Sequence, residues 1–260
     1  MLFGVGLLVS PVVLLVFIAW TLLIWHSLRF KSALLLAGLS LVVIAPWLVR
    51  NYNVFGAFIF IRDNFGTELA ASNNDCAAAW SLDNVESGCF SQVHPNRNLQ
   101  LDQRIVEIGE YRYNGERLRV AWSWIREHWI RFGILSVERF VVFWFPAAAG
   151  GHGLALLGTL IISLITALSI PALVLMHRTN PFAARMLTSC LLFYPLVHYL
   201  AQLDLRYRYP ILWVSSFAAA DLLVRIWKRS AQRVHTTSSV IPSRLNLAVI
   251  PQPGSSDVLE

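Results

Sequence analysis

The sequence predicts an all-α integral membrane protein, with about five transmembrane helices and one large extracytoplasmic loop that contains amphipathic helices. Three observations predict it. Apolar residues make up 56% of the 260 positions and charged residues only 14%, against about 25% charged in a soluble domain. The mean hydropathy is +0.56. Charge is crowded into Asn51 to Arg139 and the C-terminal tail, leaving long uncharged runs elsewhere.

The first apolar run, Leu2 to Trp25, carries no charge. As one helix it would be about 36 Å long, enough for a hydrocarbon core of about 30 Å. A signal peptide fits less well, because no basic residue precedes the run and no small-residue cleavage site follows it. The second run, Ser32 to Val49, is bracketed by Lys31 and Arg50, with Pro46 and Trp47 suited to an interfacial exit.

From Asn51 to Arg131 the chain is polar, with ten acidic and eight basic residues. Val54 to Ile61 reads as either a short strand or a buried loop. Ala71 to Gln100, with Asn73-Asn74-Asp75, Ser87-Gly88 and His94-Pro95-Asn96, is turn chemistry. A helical period returns over Leu99 to Tyr111, and a second helix is expected from about Gly115 to Phe132, with Asn114-Gly115 as the break. Its Trp122, Ile125 and Trp129 share a face, and Glu127 and Arg131 stand at i,i+4. Such a helix either lies on a membrane surface or packs on the protein.

Phe140 to Phe145 is too short to span and reads as an interfacial or re-entrant piece between Glu138-Arg139 and Pro146 to Gly153. Further spans are expected at Leu154 to Met176, with Pro171 as a kink, at Met186 to Leu203, and at Ile211 to Trp227. In the last of these, Asp221 and Arg225 stand at pairing distance in sequence. A polar, disordered tail follows Lys228. The expected organisation is therefore 1–50 (two spans), 51–152 (extracytoplasmic loop), 153–227 (three spans) and 228–260 (cytoplasmic tail).

Orientation follows from the short loops. His26 to Lys31, His177 to Arg185 and the start of the tail are all basic and fall on one side, the cytoplasm. Cys76 and Cys89 then lie in an outward loop, where a disulfide is one reading; Cys190, in an apolar run, reads as a packing residue. The net charge of +6 reflects these basic flanks. No basic stripe with interleaved aromatics points to nucleic acid.

Asp204 to Pro210 breaks the pattern, because it lies outside yet holds Arg206 and Arg208. Arg50, Arg62, His198 and Tyr207 join them on the outer face. Guanidinium forks suit phosphate oxygens, and tyrosine beside them suits a sugar or a prenyl chain. The alternative is that these arginines pair with Asp63, Asp204 and lipid head groups to pin helix ends.

Pro46 to Gly56 (Pro-Trp-Leu-Val-Arg-Asn-Tyr-Asn-Val-Phe-Gly), Phe60 to Gly66 and Asn73-Asn74 resemble the bacterial membrane glycosyltransferases that use polyprenyl-phosphate sugars. These are of the GT-C type, relatives of the dolichyl-phosphate-mannose protein mannosyltransferases and the lipid A aminoarabinose transferases. Ala121 to His128, Arg139 to Trp144 and His198 to Pro210 follow in the order expected of that family. The resemblance implies transfer of a sugar from a polyprenyl-phosphate carrier to an extracytoplasmic acceptor at the bacterial inner membrane. It also implies a general-base carboxylate in the first outward loop. Here the loop after the first run is basic and lacks Asp or Glu, so the chain looks like the C-terminal half of such an enzyme, with an N-terminal half or companion chain as a partner beside membrane lipids. Asp63 and Glu68 are outward carboxylates that match no family position, so the catalytic residue stays unassigned. No metal or cofactor is expected. A non-catalytic scaffold that only binds the lipid carrier is the competing reading, and a transporter ranks below both.

Overall fold

Proline and glycine decide where the apolar runs of this chain become separate helices. The computed structural model describes residues 1–25, 30–150, 153–201 and 204–239, with side chains to Gln232. Residues up to Leu222 form one compact unit and those from Leu223 a second.

The first run is two helices, α1 (Leu2–Val9) and α2 (Val13–Ile24). Pro11 disfavours helical backbone at the residue before it, and Ser10 is accordingly extended at φ −149°, ψ 111°. At about 12 and 18 Å, neither piece matches the single continuous span expected over Leu2 to Trp25. They touch through Phe3 and Phe17, whose ring centroids are 3.9 Å apart, yet each has its own main partner. A Cβ on Gly4 of α1 would lie 2.6 Å from Val43 Cβ and 2.8 Å from Ser40 O, so only glycine allows this approach to α3 (Phe30–Phe55). In α2, Trp20 Nε1 donates to Met186 O at 3.1 Å. The expected loop His26 to Lys31 falls mostly on residues 26–29, outside the described residues; Lys31 already lies in α3.

Helix α3 runs through Pro46 and on past Arg50 to end at Phe55, six residues beyond the Val49 at which the second run was expected to end. Gly56, at φ 63°, reverses the chain. The following loop folds back: Trp47 Nε1 donates to Ile61 O at 3.0 Å, and buried Asn51 donates to Ile59 O at 3.3 Å. Ile59 and Ile61 are buried. Of the two readings of Val54 to Ile61, the structure takes the buried loop, and the described residues contain no strand.

The polar region holds six helices joined by loops: α4 (Phe65–Ser72), α5 (Ser81–Glu86), α6 (Cys89–Val93), α7 (Leu99–Ile108), α8 (Glu110–Glu127) and α9 (Trp129–Trp144). Asn98 caps α7 by accepting from Gln100 and Leu101 N–H at 3.1 and 3.2 Å. The break expected at Asn114-Gly115 lies instead at Gly109, whose φ of 83° only glycine adopts freely. A second break at His128 puts Glu127 and Arg131 on different helices. Glu127 accepts from Ser123 Oγ at 2.9 Å and Arg131 donates to Ala77 O at 3.1 Å, so the expected i,i+4 pair is not formed. Phe140 to Phe145 is the C-terminal end of α9, not an isolated piece.

Three further helices close the first unit: α10 (Gly153–Thr179), α11 (Pro181–Phe193) and α12 (Leu196–Leu200); α13 (Tyr209–Ser239) begins in it. Pro171 sits inside an uninterrupted α10. Pro195 instead splits the expected Met186 to Leu203 span, because it offers no N–H to the turn before it. Helix α13 reaches Ser239, eleven residues beyond the Lys228 at which the tail was expected to lose structure; residues 240–260 lie outside the described residues. Phe30–Phe55, Gly153–Thr179 and Tyr209–Gln232 are long and apolar enough to cross a membrane. One core cluster gathers Val16 of α2, Trp80, Phe143 of α9, Cys190 and Leu191 of α11, and Ile211 and Val214 of α13.

Candidate functional site

The turn before α13 is built by Asp204. Its carboxylate accepts from Arg206 N–H at 3.0 Å, capping the 3-10 turn Leu205–Tyr207, and lies 3.5 Å from Arg206 Nε. Arg206 extends over the Tyr207 ring at 5.2 Å. Tyr207 stacks on His198 of α12, with centroids 4.5 Å apart and planes 14° apart. Its other ring neighbours are Tyr194 at 5.6 Å and Phe143 of α9 at 6.1 Å. His198 is 8% exposed and its Nε2 has no partner.

Arg208 points the opposite way from Arg206, into the helices. It is 1% exposed. Its Nη2 donates to Thr166 Oγ1 of α10 at 3.1 Å and Ser215 Oγ of α13 at 2.7 Å. The guanidinium lies over Trp144 at 4.4 Å and Phe143 at 5.4 Å. Nε and Nη1 have no partner, and among the described residues no carboxylate pairs with it. Burial pulls its pKa down to about 10, so it remains cationic at neutral pH. A buried charge with unfilled N–H groups is a costly arrangement unless something completes it.

Beside Arg208 runs an apolar groove of about 660 Å3. Phe140 and Trp144 of α9, Thr166, Ile170 and Leu173 of α10, and Tyr199 of α12 line its upper part. Two of these residues, Trp144 and Thr166, are the ones that touch Arg208. Trp144 Nε1 donates to Tyr199 Oη at 2.7 Å, fixing the rim.

The structure thus brings Arg206, Tyr207, Arg208 and His198 together. Arg50 and Arg62 stand elsewhere. Arg50 lies over Trp47 at 5.1 Å and Phe55 at 5.8 Å and donates to Asn51 Oδ1 at 3.0 Å. Arg62 is exposed on the loop before α4. Among the described residues, no hydrogen bond, ion pair or ring contact links either to the turn before α13. Cys76 and Cys89 are joined in a disulfide with Cα atoms 5.6 Å apart, and Asn74 Oδ1 accepts from Cys76 N–H at 3.1 Å beside it. Cys190 is buried and free.

Sequence reasoning missed the deepest polar group in the region. Arg139 of α9 is 0% exposed. Its Nη1 donates to Asn73 Oδ1 at 3.2 Å and Leu200 O at 3.1 Å, and its Nη2 donates to Ser72 O. Asn73 Nδ2 adds bonds to Leu69 O at 2.8 Å and Leu200 O at 2.9 Å. The carbonyls left open at the ends of α4 and α12 are thereby filled. Burial lowers the Arg139 pKa to about 10. The available signal was Glu138-Arg139, a charged pair set between apolar stretches of α9.

At the other end of α4, Asp63 accepts from Asn114 Nδ2, and Asn114 Oδ1 accepts from Thr67 N–H at 3.0 Å. The second carboxylate oxygen of Asp63 is buried without a partner. Burial raises the Asp63 pKa above its usual 3.8, with Glu110 adding and the Asn114 bond opposing. Among the described residues, no three His, Cys, Asp or Glu side chains are placed to hold a metal ion. The chain matches no known family model, and no curated protein or solved structure matches it.

Proposed function

We propose that the chain is a multi-pass protein of the bacterial inner membrane that binds a polyprenyl-phosphate-linked sugar. On this reading it serves as a membrane glycosyltransferase, or its C-terminal part, acting on an extracytoplasmic acceptor. The observation that carries this is Arg208: a buried guanidinium with two unpartnered nitrogens, packed against Trp144 and Thr166, which line an apolar groove. A prenyl chain fills the groove, and its phosphate takes the free N–H groups of the fork. Phosphate departure needs this kind of fixed positive charge. The bent pairs α1–α2 and α11–α12 serve as two further crossings beside the three long helices, which puts the disulfide loop outside, in an oxidising compartment.

A non-catalytic carrier-binding role is the second reading, favoured by the lack of a carboxylate beside Arg208. Binding separates both from mere anchoring. Purified chain in nanodiscs is titrated with a polyprenyl-phosphate monosaccharide. Arg208→Lys keeps the charge and loses the fork, and is expected to weaken binding about tenfold, in line with the loss of one charge-assisted bond. Arg206→Lys is expected to cost less, since Asp204 already engages that guanidinium. Equal affinity of the wild type and Arg208→Lys returns this arginine to an anchoring role.

A further inference from the structure

A second apolar groove, of about 460 Å3, lies between α2 and α11. Leu22 and Leu23 of α2 and Leu192 and Phe193 of α11 line it, with His177 of α10 and Arg185 of α11 as its basic members. His177 stands in the last turn of α10 and Arg185 near the start of α11, so the connection at Asn180 brings both to one end of this helix pair. Asn180 fixes that connection: its N–H donates to Met176 O at 2.7 Å, and its Oδ1 accepts from Ala183 N–H at 3.1 Å. Arg185 Nε donates to Pro181 O at 3.1 Å, which engages one of the guanidinium N–H groups and steadies the rest.

The surrounding helices supply no counter-charge. No Asp or Glu occurs before Asp63 or between Arg139 and Asp204, so α2, α10 and α11 hold no acidic residue. Among the described residues no carboxylate pairs with Arg185, and Arg178 adds a third basic group in the last turn of α10. Arg185 is exposed, unlike Arg208, and so are Leu22 and Leu192 on the two walls. An apolar wall ending in unmatched cations calls for a ligand with both characters. A small soluble anion has no use for the wall, and an uncharged lipid leaves the cations unmatched. An anionic phospholipid meets both: α11 rises about 12 Å from Arg185 to Phe193, a track for one acyl chain, with the phosphate at its basic end. Basic pockets between helices on the cytoplasmic side suit anionic head groups, and this is the end expected to face the cytoplasm.

We propose that this groove binds an anionic phospholipid, with an acyl chain between α2 and α11 and the phosphate held by Arg185 and His177. The site does not rest on the carrier reading. His177, Thr188 and Leu192 also line the foot of the carrier groove, but Arg208 is held at Thr166, eleven residues or about 16 Å along α10 from His177. The two phosphate positions are distinct.

The test uses the purified full chain, delipidated in neutral detergent and titrated with dioleoyl-phosphatidylglycerol or dioleoyl-phosphatidylcholine. These lipids share their chains and differ in net charge, and native mass spectrometry counts the bound molecules. The wild type is expected to bind the first phosphatidylglycerol about fivefold more tightly than phosphatidylcholine, the effect of one basic group beside an anionic head group. Arg185→Gln is expected to lose most of that preference, Arg185→Lys to keep most of it, and Arg185→Gln with His177→Gln to abolish it. Leu23→Trp, which fills the groove from an exposed position, is expected to weaken both lipids. Glycerol phosphate, a head group without chains, is expected not to compete. Equal affinity of the wild type for the two lipids overturns the proposal, and so does an undiminished preference in the double variant. Displacement of the lipid by glycerol phosphate, or unweakened binding in Leu23→Trp, also overturns it, by placing the anion on a basic surface and not in the groove.

Discussion

Arg139 and Arg208 are sequestered alike, at 0% and 1% exposure, and both are depressed in pKa by burial to about 10. Their partners differ in kind. Arg139 spreads both terminal nitrogens over main-chain carbonyls and the Asn73 amide, leaving only Nε over. Arg208 spends one nitrogen on two hydroxyls and leaves Nε and Nη1 empty. The first arrangement is nearly closed: it joins α4, α9 and α12 and keeps a single unfilled N–H. The second keeps two unfilled N–H groups, behind two of the residues that line a groove. Burial alone does not separate a fastener from a binding group; the count of unfilled N–H groups does.

The strongest way to break this comparison is to remove the more nearly closed arginine. Arg139→Ala leaves the Ser72 and Leu200 carbonyls buried without their donor, and is expected to cost about 3 kcal/mol. Thermal unfolding in nanodiscs measures it. A variant as stable as the wild type would show that Arg139 fastens nothing. Next in size is Gly66→Ala at the opposite end of α4, where an added Cβ would meet Asn114 O at 2.2 Å. Overpacking there is expected to cost about 1–3 kcal/mol. The same unfolding measurement in an Arg139→Ala background shows whether the two ends of α4 are seated independently or jointly.

The smallest effect sharpens the comparison with a third, half-buried charge. Asp63 has one oxygen partnered and one empty, and its pKa is raised above 3.8. A carboxylate shifted this way contributes stability that is complete below its unfolded pKa and is lost as pH rises through the folded value. Unfolding followed from about pH 4 upward is expected to show wild-type stability declining relative to Asp63→Asn, because the amide keeps the Asn114 bond and never ionises. Parallel pH curves for the two proteins would contradict the assignment.

How much of this was legible in the sequence depends on whether the signal was local. The membrane character was, because composition and apolar runs report it directly, and α10 and α13 begin within two residues of where those runs do. The helix breaks were only half legible. Pro11 and Pro195 interrupt helices, whereas Pro46 and Pro171 sit inside continuous ones, and nothing within a few residues of each proline separates the two outcomes. Packing does: α1 and α2 are drawn to different partners, α3 and α11. At the site, Arg206, Tyr207, Arg208 and His198 were found because they cluster in sequence near residue 200. Arg50 and Arg62 were grouped with them by expected side of the membrane, which does not fix distance. The contacts of Arg139 with residues 66 and 61 positions away leave no local trace.

Those spacings have a consequence for synthesis. A chain emerging N-terminus first delivers the disulfide loop early, because its two cysteines are 13 residues apart. Arg139 arrives next and finds Ser72 and Asn73 already made, but Leu200 lies 61 residues downstream. Until α12 has been made, this guanidinium lacks its Leu200 acceptor. The clamp is therefore completed late: only a chain translated through residue 200 can close it, and a polypeptide arrested earlier carries an arginine short of one of its partners.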